Sequence, residues 1–234
     1  SSRRRHTRYI SVTGVQTCAL PISALLPEFK KFLSRAIEAG RTDIEIRMNT
    51  NATKLNRKYC ELLSHFTDVN IVVSLDGFDQ VNHYIRWPAE WLTIIKNVHN
   101  LYTFTNKIAF NVTVSIWNIA NLSKLVLFLE QEFPTATILL NKVYEPAMMS
   151  FDTFPDKTLA LADLELLKKS NSYNKNELFK SKVDYYINEL QQSQLNIPAL
   201  TEFFKYNDAL DKSRNIKLAD YIPELENCRG FINK

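Results

Sequence analysis

The residues of this chain best suited to chemistry are polar side chains that end two predicted strands. Asn49 and Asn51 end the first strand, and Ser74 and Asp76 end the second. Residues two apart in a strand point to the same side, so each pair is expected to share one face. Amides, hydroxyls and carboxylates in such places bind polar ligands through hydrogen bonds, and carboxylates also serve as general acids and bases.

Two further predicted strands carry polar residues in the same way. The third has Asn111, Thr113 and Ser115 at alternate positions, on one face of the strand, and the fourth has Asn141 and Glu145. In parallel β/α barrels, binding and catalytic residues gather at the carboxyl ends of the strands. A polar residue after a strand can instead cap the next helix. We expect that simpler role for Thr53, Asp79 and Asn121.

The segments that position these residues alternate between two hydrophobic periods. Residues 26–40 repeat apolar side chains at helical spacing, whereas residues 44–49 alternate apolar and polar side chains, as a strand does. Continuing to about Pro155, the order is helix, then strand–helix three times, then strand. The helix that follows the second strand is predicted to open at Pro88. This order predicts parallel β/α units.

From about Asp156 onward the pattern indicates amphipathic helices alone. Three are predicted within residues 155–215, with a polar connection over 170–176 and a final docked turn over 218–225. We therefore expect a partial barrel over residues 23–150 and a helical C-terminal extension over 151–234.

Composition excludes several classes of function. The formal net charge of +4 is accounted for by the arginines of the first eight residues, so neither nucleic acid nor a membrane surface is predicted as a partner. Three glycines lie beyond residue 22, too few for a glycine-rich phosphate loop. Cys18, Cys60 and Cys228 have neither metal-ligand nor disulfide spacing, so we expect reduced thiols, no metal site and a cytoplasmic location.

The opening segment SSRRRHTRYISVTGVQTCALPI resembles translated adapter rather than protein. Its first eight residues can be encoded by TCA-AGC-AGA-AGA-CGG-CAT-ACG-AGA, and VTGVQTCALPI can be back-translated in the same manner. Both strings resemble halves of a widely used sequencing-library adapter, in one frame and in the correct order. We expect residues 1–22 to be non-native and disordered, and the coding sequence to be cut at Ser23.

Two motifs resemble the core domain of radical SAM enzymes. Asn49–Ala52 (NTNA) is similar to the pattern Ser/Thr-Thr/Asn-Asn-Gly that ends the family's third strand, with alanine in place of glycine. Ser74–Gly77 (SLDG) matches the end of its fourth strand. His83 with Arg86 resembles the H-x-x-x-R carried by the loop that often follows, one residue shorter. The likeness covers about residues 24–146. It implies an α/β fold with the last four strands of an incomplete (β/α)6 partial TIM barrel and a helical extension of the twitch or half-SPASM type.

The resemblance implies that the cofactor S-adenosyl-L-methionine binds at these strand ends. Ser74 would hydrogen-bond its amino-acid end, Arg86 would pair with its carboxylate, and Asn51 would contact the ribose or the substrate. Asp76 and the backbone at Val143 complete the expected cofactor site. Expected substrate contacts are Asn49, Ser115 and Glu145. No catalytic residue is assigned, and the substrate is an unspecified small molecule or peptide.

The same resemblance implies a four-iron four-sulfur cluster in the intact protein. In the family, a C-x-x-x-C-x-x-C motif holds the cluster and a later G-G-E-P meets the methionyl group, and both would precede Ala24. We expect the chain to be an inactive fragment of an enzyme, holding part of the cofactor pocket without the cluster ligands. Cys60 and Cys228 alone do not predict a thiolate-held auxiliary cluster.

Two alternatives stay open. The chain could belong to a cluster-free barrel hydrolase or lyase, using three side chains as acid–base groups: Asp76, His83 and Glu145. It could also be a non-catalytic binding module with an aromatic surface patch formed by Trp87, Trp91 and Tyr102. The helical spacing of these aromatic residues favours packing against the sheet over a surface patch.

Overall fold

The computed structural model describes residues 27–55, 57–105 and 107–232. These residues form a four-stranded parallel sheet with helices between the strands, followed by a run of helices. The adapter-like segment 1–22 lies outside the described residues, and so does Cys18. The strands are β1 (Ile46–Thr50), β2 (Val69–Ser74), β3 (Ile108–Val114) and β4 (Thr137–Lys142).

The strands lie in the sheet in chain order, β1-β2-β3-β4, and every neighbouring pair is parallel. This confirms the predicted α/β class with parallel β/α units. Each strand has the expected side-chain alternation: on β2, Val69, Ile71 and Val73 are buried, while the residues between them are only half-buried. Burial of alternate apolar residues is what makes these short segments favourable as strands.

One face of the sheet is covered by the helices and the other is open among the described residues. Buried residues of the helices, such as Leu33, Tyr59, Ile94 and Leu125, join the buried strand residues in one core. Parallel sheets are normally covered on both faces, so a polar, accessible second face is unusual. We call this second face the open face. Its residues are Arg47, Asn49, Asn70, Val72, Ser74, Ala109, Asn111, Thr113, Thr137, Leu139 and Asn141, each exposed or half-buried.

The helices follow the predicted pattern with three differences. Residues 80–85 form a helix where a loop was predicted, a short helix lies inside the predicted connection 170–176, and the helix predicted to open at Pro88 begins at Trp91. The helices are α1 (Pro27–Glu38), α2 (Arg57–Leu63), α3 (Gln80–Ile85), α4 (Trp91–Tyr102), α5 (Leu122–Glu132), α6 (Lys157–Leu167), α7 (Asn171–Lys175), α8 (Glu177–Gln192), α9 (Ile197–Arg214), α10 (Leu218–Tyr221) and α11 (Pro223–Asn227).

Tertiary contacts explain the helices that the sequence pattern did not predict. Helix α7 starts where the Glu130 carboxylate of α5 accepts the backbone N–H groups of Asn171 and Ser172, at 2.9 and 2.5 Å. A carboxylate at a helix start satisfies N–H groups that have no partner inside the helix. Helix α3 is likewise held by residues of α9, far away in sequence.

The predicted capping residues behave differently from expectation. Asp79 and Asn121 directly precede α3 and α5, but neither side chain makes a capping hydrogen bond. A carboxylate that is remote in sequence caps α5 instead. Asp163 of α6 accepts the backbone N–H of Ser123 at 2.9 Å and the hydroxyl of Ser123 at 2.6 Å. This contact also joins the helical extension to the sheet-forming part of the chain. Within the described part of the chain, no helix is long and apolar enough to cross a bilayer.

Candidate functional site

Asp76 lies at the centre of the carboxyl edge of the sheet and is 7% exposed. Its Oδ1 accepts the backbone N–H of Thr113 on β3 at 2.9 Å, and its Oδ2 lies 2.7 Å from Nε of Arg86. The Nε–H is not aligned with the carboxylate oxygen, so this second contact is an ion pair rather than a linear hydrogen bond. Asp76 therefore links β3 to Arg86 and uses both of its oxygens to do so.

Two buried asparagines hold the backbone around Asp76. Asn82 Oδ1 accepts the Asp76 N–H at 3.0 Å, and Asn118 Nδ2 donates to the carbonyls of Asp76 and Thr113 at 2.6 and 2.8 Å. Asn118 Oδ1 also accepts the backbone N–H of Ser115 at 2.8 Å. Sequence reasoning missed both asparagines, because neither belongs to a motif and each lies beyond the strand that it fixes.

Gly77 follows Asp76 at a point where the backbone comes close to α3. A Cβ atom at this position would lie 2.5 Å from Val81 Cγ1 and 2.9 Å from the backbone nitrogen of Asn82. These separations are well below van der Waals contact. The glycine of the SLDG motif is thus required here by close approach of the backbone to the first turn of α3.

Ala52 occupies the position at which the resembled motif has glycine, and its φ is 54°. An L-residue in this left-handed region costs about 1–2 kcal/mol. Ala52 is fully buried, its N–H donates to Thr50 Oγ1 at 3.0 Å, and its carbonyl accepts Asn97 Nδ2 at 2.7 Å. The loop therefore retains a backbone conformation that suits glycine, held by hydrogen bonds on both sides of the alanine.

A cleft of about 510 Å³ at this edge brings together Asn51 and Arg86, two of the predicted cofactor-binding residues. The Asn51 side-chain oxygen accepts the N–H and the hydroxyl of Thr53, at 3.2 and 2.9 Å, so its amide nitrogen is the group left for a ligand. Thr53 thus fixes the orientation of the Asn51 side chain. We call this the Arg86 cleft. Its lining residues are Asn51, Thr53, Lys54, Arg86, Trp87, Pro88, Ala89, Glu90 and Thr93.

Ser74 lies on the open face near the same edge. In the strand register it is opposite Asn111 of β3, and Asn111 Oδ1 accepts Asn141 Nδ2 of β4 at 2.5 Å. The Ser74 hydroxyl has no hydrogen-bond partner among the described residues. Asn49 is exposed on the same face of β1, and Val143 is half-buried just beyond β4. A polar strip therefore crosses the open face towards its carboxyl edge.

Two of the predicted substrate contacts lie apart from this strip. Ser115 is buried, and its carbonyl accepts the N–H groups of Asn118 and Ile119 at 3.2 and 3.1 Å in the turn that follows β3. Glu145 is exposed in the segment after β4. The structure brings neither residue into the lining of the Arg86 cleft.

The residues of the two alternative functions are also separated. The His83 ring stacks on Tyr221 at 5.6 Å with an interplanar angle of 7°, and its Nδ1 lies 3.1 Å from the carbonyl oxygen of Ala89. No contact within the described ranges joins His83 with Asp76 and Glu145. Trp91 is 8% exposed and packs against aromatic residues of the core, which confirms the packing expected of it. Tyr102 is half-buried, whereas Trp87 is 38% exposed and contacts His83, so the expectation of packing against the sheet is wrong for Trp87.

The described residues do not provide the ligand set of a metal centre. Within residues 27–55, 57–105 and 107–232, no three His, Cys, Asp or Glu side chains form a group that could hold a metal ion. The two cysteines in these ranges, Cys60 and Cys228, lie on α2 and in the 3-10 turn Cys228–Ile232. A scan against protein-family models and a search of the curated proteins each gave no match to this chain.

Proposed function

We propose that this chain forms part of the S-adenosylmethionine pocket of a radical SAM enzyme, its four strands being the last four of a (β/α)6 partial barrel. The open face supports this arrangement, because the uncovered face of a parallel sheet becomes a lumen when further strands close the sheet into a barrel. The observation that carries the proposal is the Arg86 guanidinium, set by Asp76 in the same cleft as Asn51 at the carboxyl edge.

The donor set of this region fits the amino-acid end of the cofactor. Arg86 faces Asp76 through Nε, and its two terminal nitrogens have no partner among the described residues. A guanidinium in this state presents the planar pair of N–H groups that a carboxylate accepts bidentately. The Asn51 amide adds a neutral donor in the same cleft, and the Ser74 hydroxyl adds another at the end of β2, outside the lining of the cleft. The cleft volume of about 510 Å³ lies within the range usual for small-molecule sites.

The described residues do not supply a set of cysteine ligands for the iron–sulfur cluster, so none of them is assigned a role in binding it. When bound, the cluster and S-adenosylmethionine supply reductive cleavage to a 5′-deoxyadenosyl radical, which is the chemistry of the cofactors themselves. In the proposal, Arg86 binds the carboxylate, Asp76 orients Arg86, and Ser74 and Asn51 hydrogen-bond the ligand. The substrate, a small molecule or peptide, would approach from the open face near Asn49.

A pair of ligands tests this assignment. S-adenosylmethionine carries the amino-acid end, whereas 5′-methylthioadenosine lacks it, and isothermal titration of the chain with each gives the preference. We expect Arg86→Ala to lower this preference about 10- to 100-fold, as loss of a charge-assisted pair worth about 1.5–3 kcal/mol requires. The control is Arg57→Ala, an exposed arginine of α2 paired with Glu61. A wild-type chain without any preference between the two ligands refutes the proposal.

The gene itself provides a second test. Sequencing the source DNA upstream of the Ser23 codon is expected to give in-frame C-x-x-x-C-x-x-C and G-G-E-P motifs before Ala24. Their absence from the recovered reading frame would exclude a radical SAM enzyme and leave the cluster-free barrel enzyme or the binding module.

A further inference from the structure

Helix α9 holds α3 through both a side chain and the backbone. The Tyr84 hydroxyl lies 2.7 Å from Asp211 Oδ1 and 3.0 Å from Asn207 Oδ1, and Arg214 Nη1 donates to the Tyr84 carbonyl at 2.8 Å. Tyr84 and Asn207 are fully buried. These contacts attach one residue of α3 to three residues of α9.

The α9 side of this contact is itself well fixed. Asn207 Nδ2 donates to the Phe203 carbonyl at 2.8 Å, and its Oδ1 accepts the indole N–H of Trp117 at 2.9 Å. Asp211 Oδ2 accepts the Leu218 N–H at 2.7 Å, so one carboxylate serves both α3 and the start of α10. A rigid set of partners thus defines where the Tyr84 side chain can lie.

Helix α3 depends on these contacts for its position. It has six residues, and a helix of that length is unstable by its own hydrogen bonds in water. Arg86 directly follows α3, and its backbone N–H donates to the Asn82 carbonyl at 2.9 Å. Asp76 is bound to α3 through its backbone N–H and Asn82, but its carboxylate is bound to β3 through the Thr113 N–H. A displacement of α3 therefore moves Arg86 relative to this carboxylate.

We propose that Asp211 and Arg214 of α9 are positioning residues for Arg86. By holding Tyr84 they set α3, and α3 places the Arg86 guanidinium against Asp76 in the cleft. The helical extension is in this way a working part of the site rather than an appendage to it. The role assigned to the ligand rests on the proposed function, whereas the positioning of Arg86 is independent of it.

The position of Arg86 can be followed directly by the NMR signal of its Nε–H group. Tyr84→Phe removes the hydroxyl between the helices and keeps the ring, and Asp211→Ala removes the acceptor. We expect both variants to shift the Arg86 Nε–H signal and to speed its hydrogen exchange. The matched control is Tyr102→Phe, whose hydroxyl contacts Thr135 on another part of the chain. Should Asp211→Ala fail to fold, Tyr84→Phe decides alone, and an unchanged Arg86 signal overturns the proposal.

Comparing the binding of S-adenosylmethionine with that of 5′-methylthioadenosine distinguishes a positioning role from a general effect on stability. We expect Tyr84→Phe to lower the preference for S-adenosylmethionine over 5′-methylthioadenosine by several-fold, because only the former has the carboxylate. Equal weakening of both ligands would indicate a merely structural role and overturn the proposal. If the wild-type chain has no preference, the proposed function fails, while the Arg86 signal still decides whether α9 positions this residue.

Discussion

Replacement of Gly77 by alanine is expected to destabilise the fold at the edge of the candidate site. The added Cβ would meet Val81 Cγ1 at 2.5 Å, Val81 Cβ at 2.8 Å and the Asn82 nitrogen at 2.9 Å. Two of these three atoms belong to the branched part of a buried valine, and the third is backbone, so none can move aside at low cost. The loop or α3 must shift instead.

The size of this effect follows from two opposing contributions. Overpacking of this kind costs about 1–3 kcal/mol, and the lower entropy of the unfolded alanine chain offsets about 0.4–1 kcal/mol of it. At the middle of both ranges, the net loss of unfolding free energy is about 1.3 kcal/mol, or roughly 3–5 °C in Tm for a domain of this size. A shift of the loop also strains the hydrogen bond from the Asp76 N–H to Asn82.

Gly230→Ala is the matched control, because a Cβ there would have nothing within 4 Å. Both variants and the wild-type chain would be unfolded by heat and by urea, with far-UV circular dichroism as the signal. We expect Gly230→Ala to unfold within about 0.5 kcal/mol of the wild type, as surface substitutions usually do. Equal unfolding midpoints for Gly77→Ala and Gly230→Ala would show that α3 does not lie as close to residue 77 as described.

Three further predictions concern the thiols, the Ala52 loop and the helical extension. Burial raises the pKa of the Cys228 thiol to about 11 and also raises the pKa of the half-buried Cys60 thiol. Iodoacetamide at mildly alkaline pH is therefore expected to label the Cys60 peptide before the Cys228 peptide, and the reverse order in peptide mass spectra would contradict the burial of Cys228. Asn97→Ala leaves the buried Ala52 carbonyl without its donor and is expected to lower the unfolding free energy by about 1–3 kcal/mol in urea titration, whereas an unchanged midpoint would exclude that hydrogen bond. Burial raises the pKa of Asp163 above its value in the unfolded chain. The protonated group therefore stabilises the fold below about pH 4, and this contribution is lost as the pH rises through the folded pKa. The Tm of the wild type relative to that of Asp163→Asn should fall over this pH interval, and a constant difference in Tm would refute the shift.

The local sequence pattern was sufficient to predict the parallel sheet and to predict which residues of a strand lie on the same face. Strand β2 has apolar residues at Val69, Ile71 and Val73 because alternate residues of a strand share the face that fills the core. The same period-two rule put Asn111 and Thr113 on one face of the third strand, and both lie half-buried on the open face. The SLDG and NTNA segments were likewise recognisable, because close backbone approach and a left-handed turn restrict which residues can occupy them.

The sequence by itself therefore determined the strands, their order and the polar residues at their carboxyl ends. Only the tertiary structure decided that Asp76 holds Arg86, that Asn82 and Asn118 secure the strand ends, and that α3 is a helix. The physical reason is distance along the chain. The contact from Tyr84 to Asp211 joins residues 127 positions apart, and no local period or motif can encode a hydrogen bond whose two partners meet only after the chain has folded.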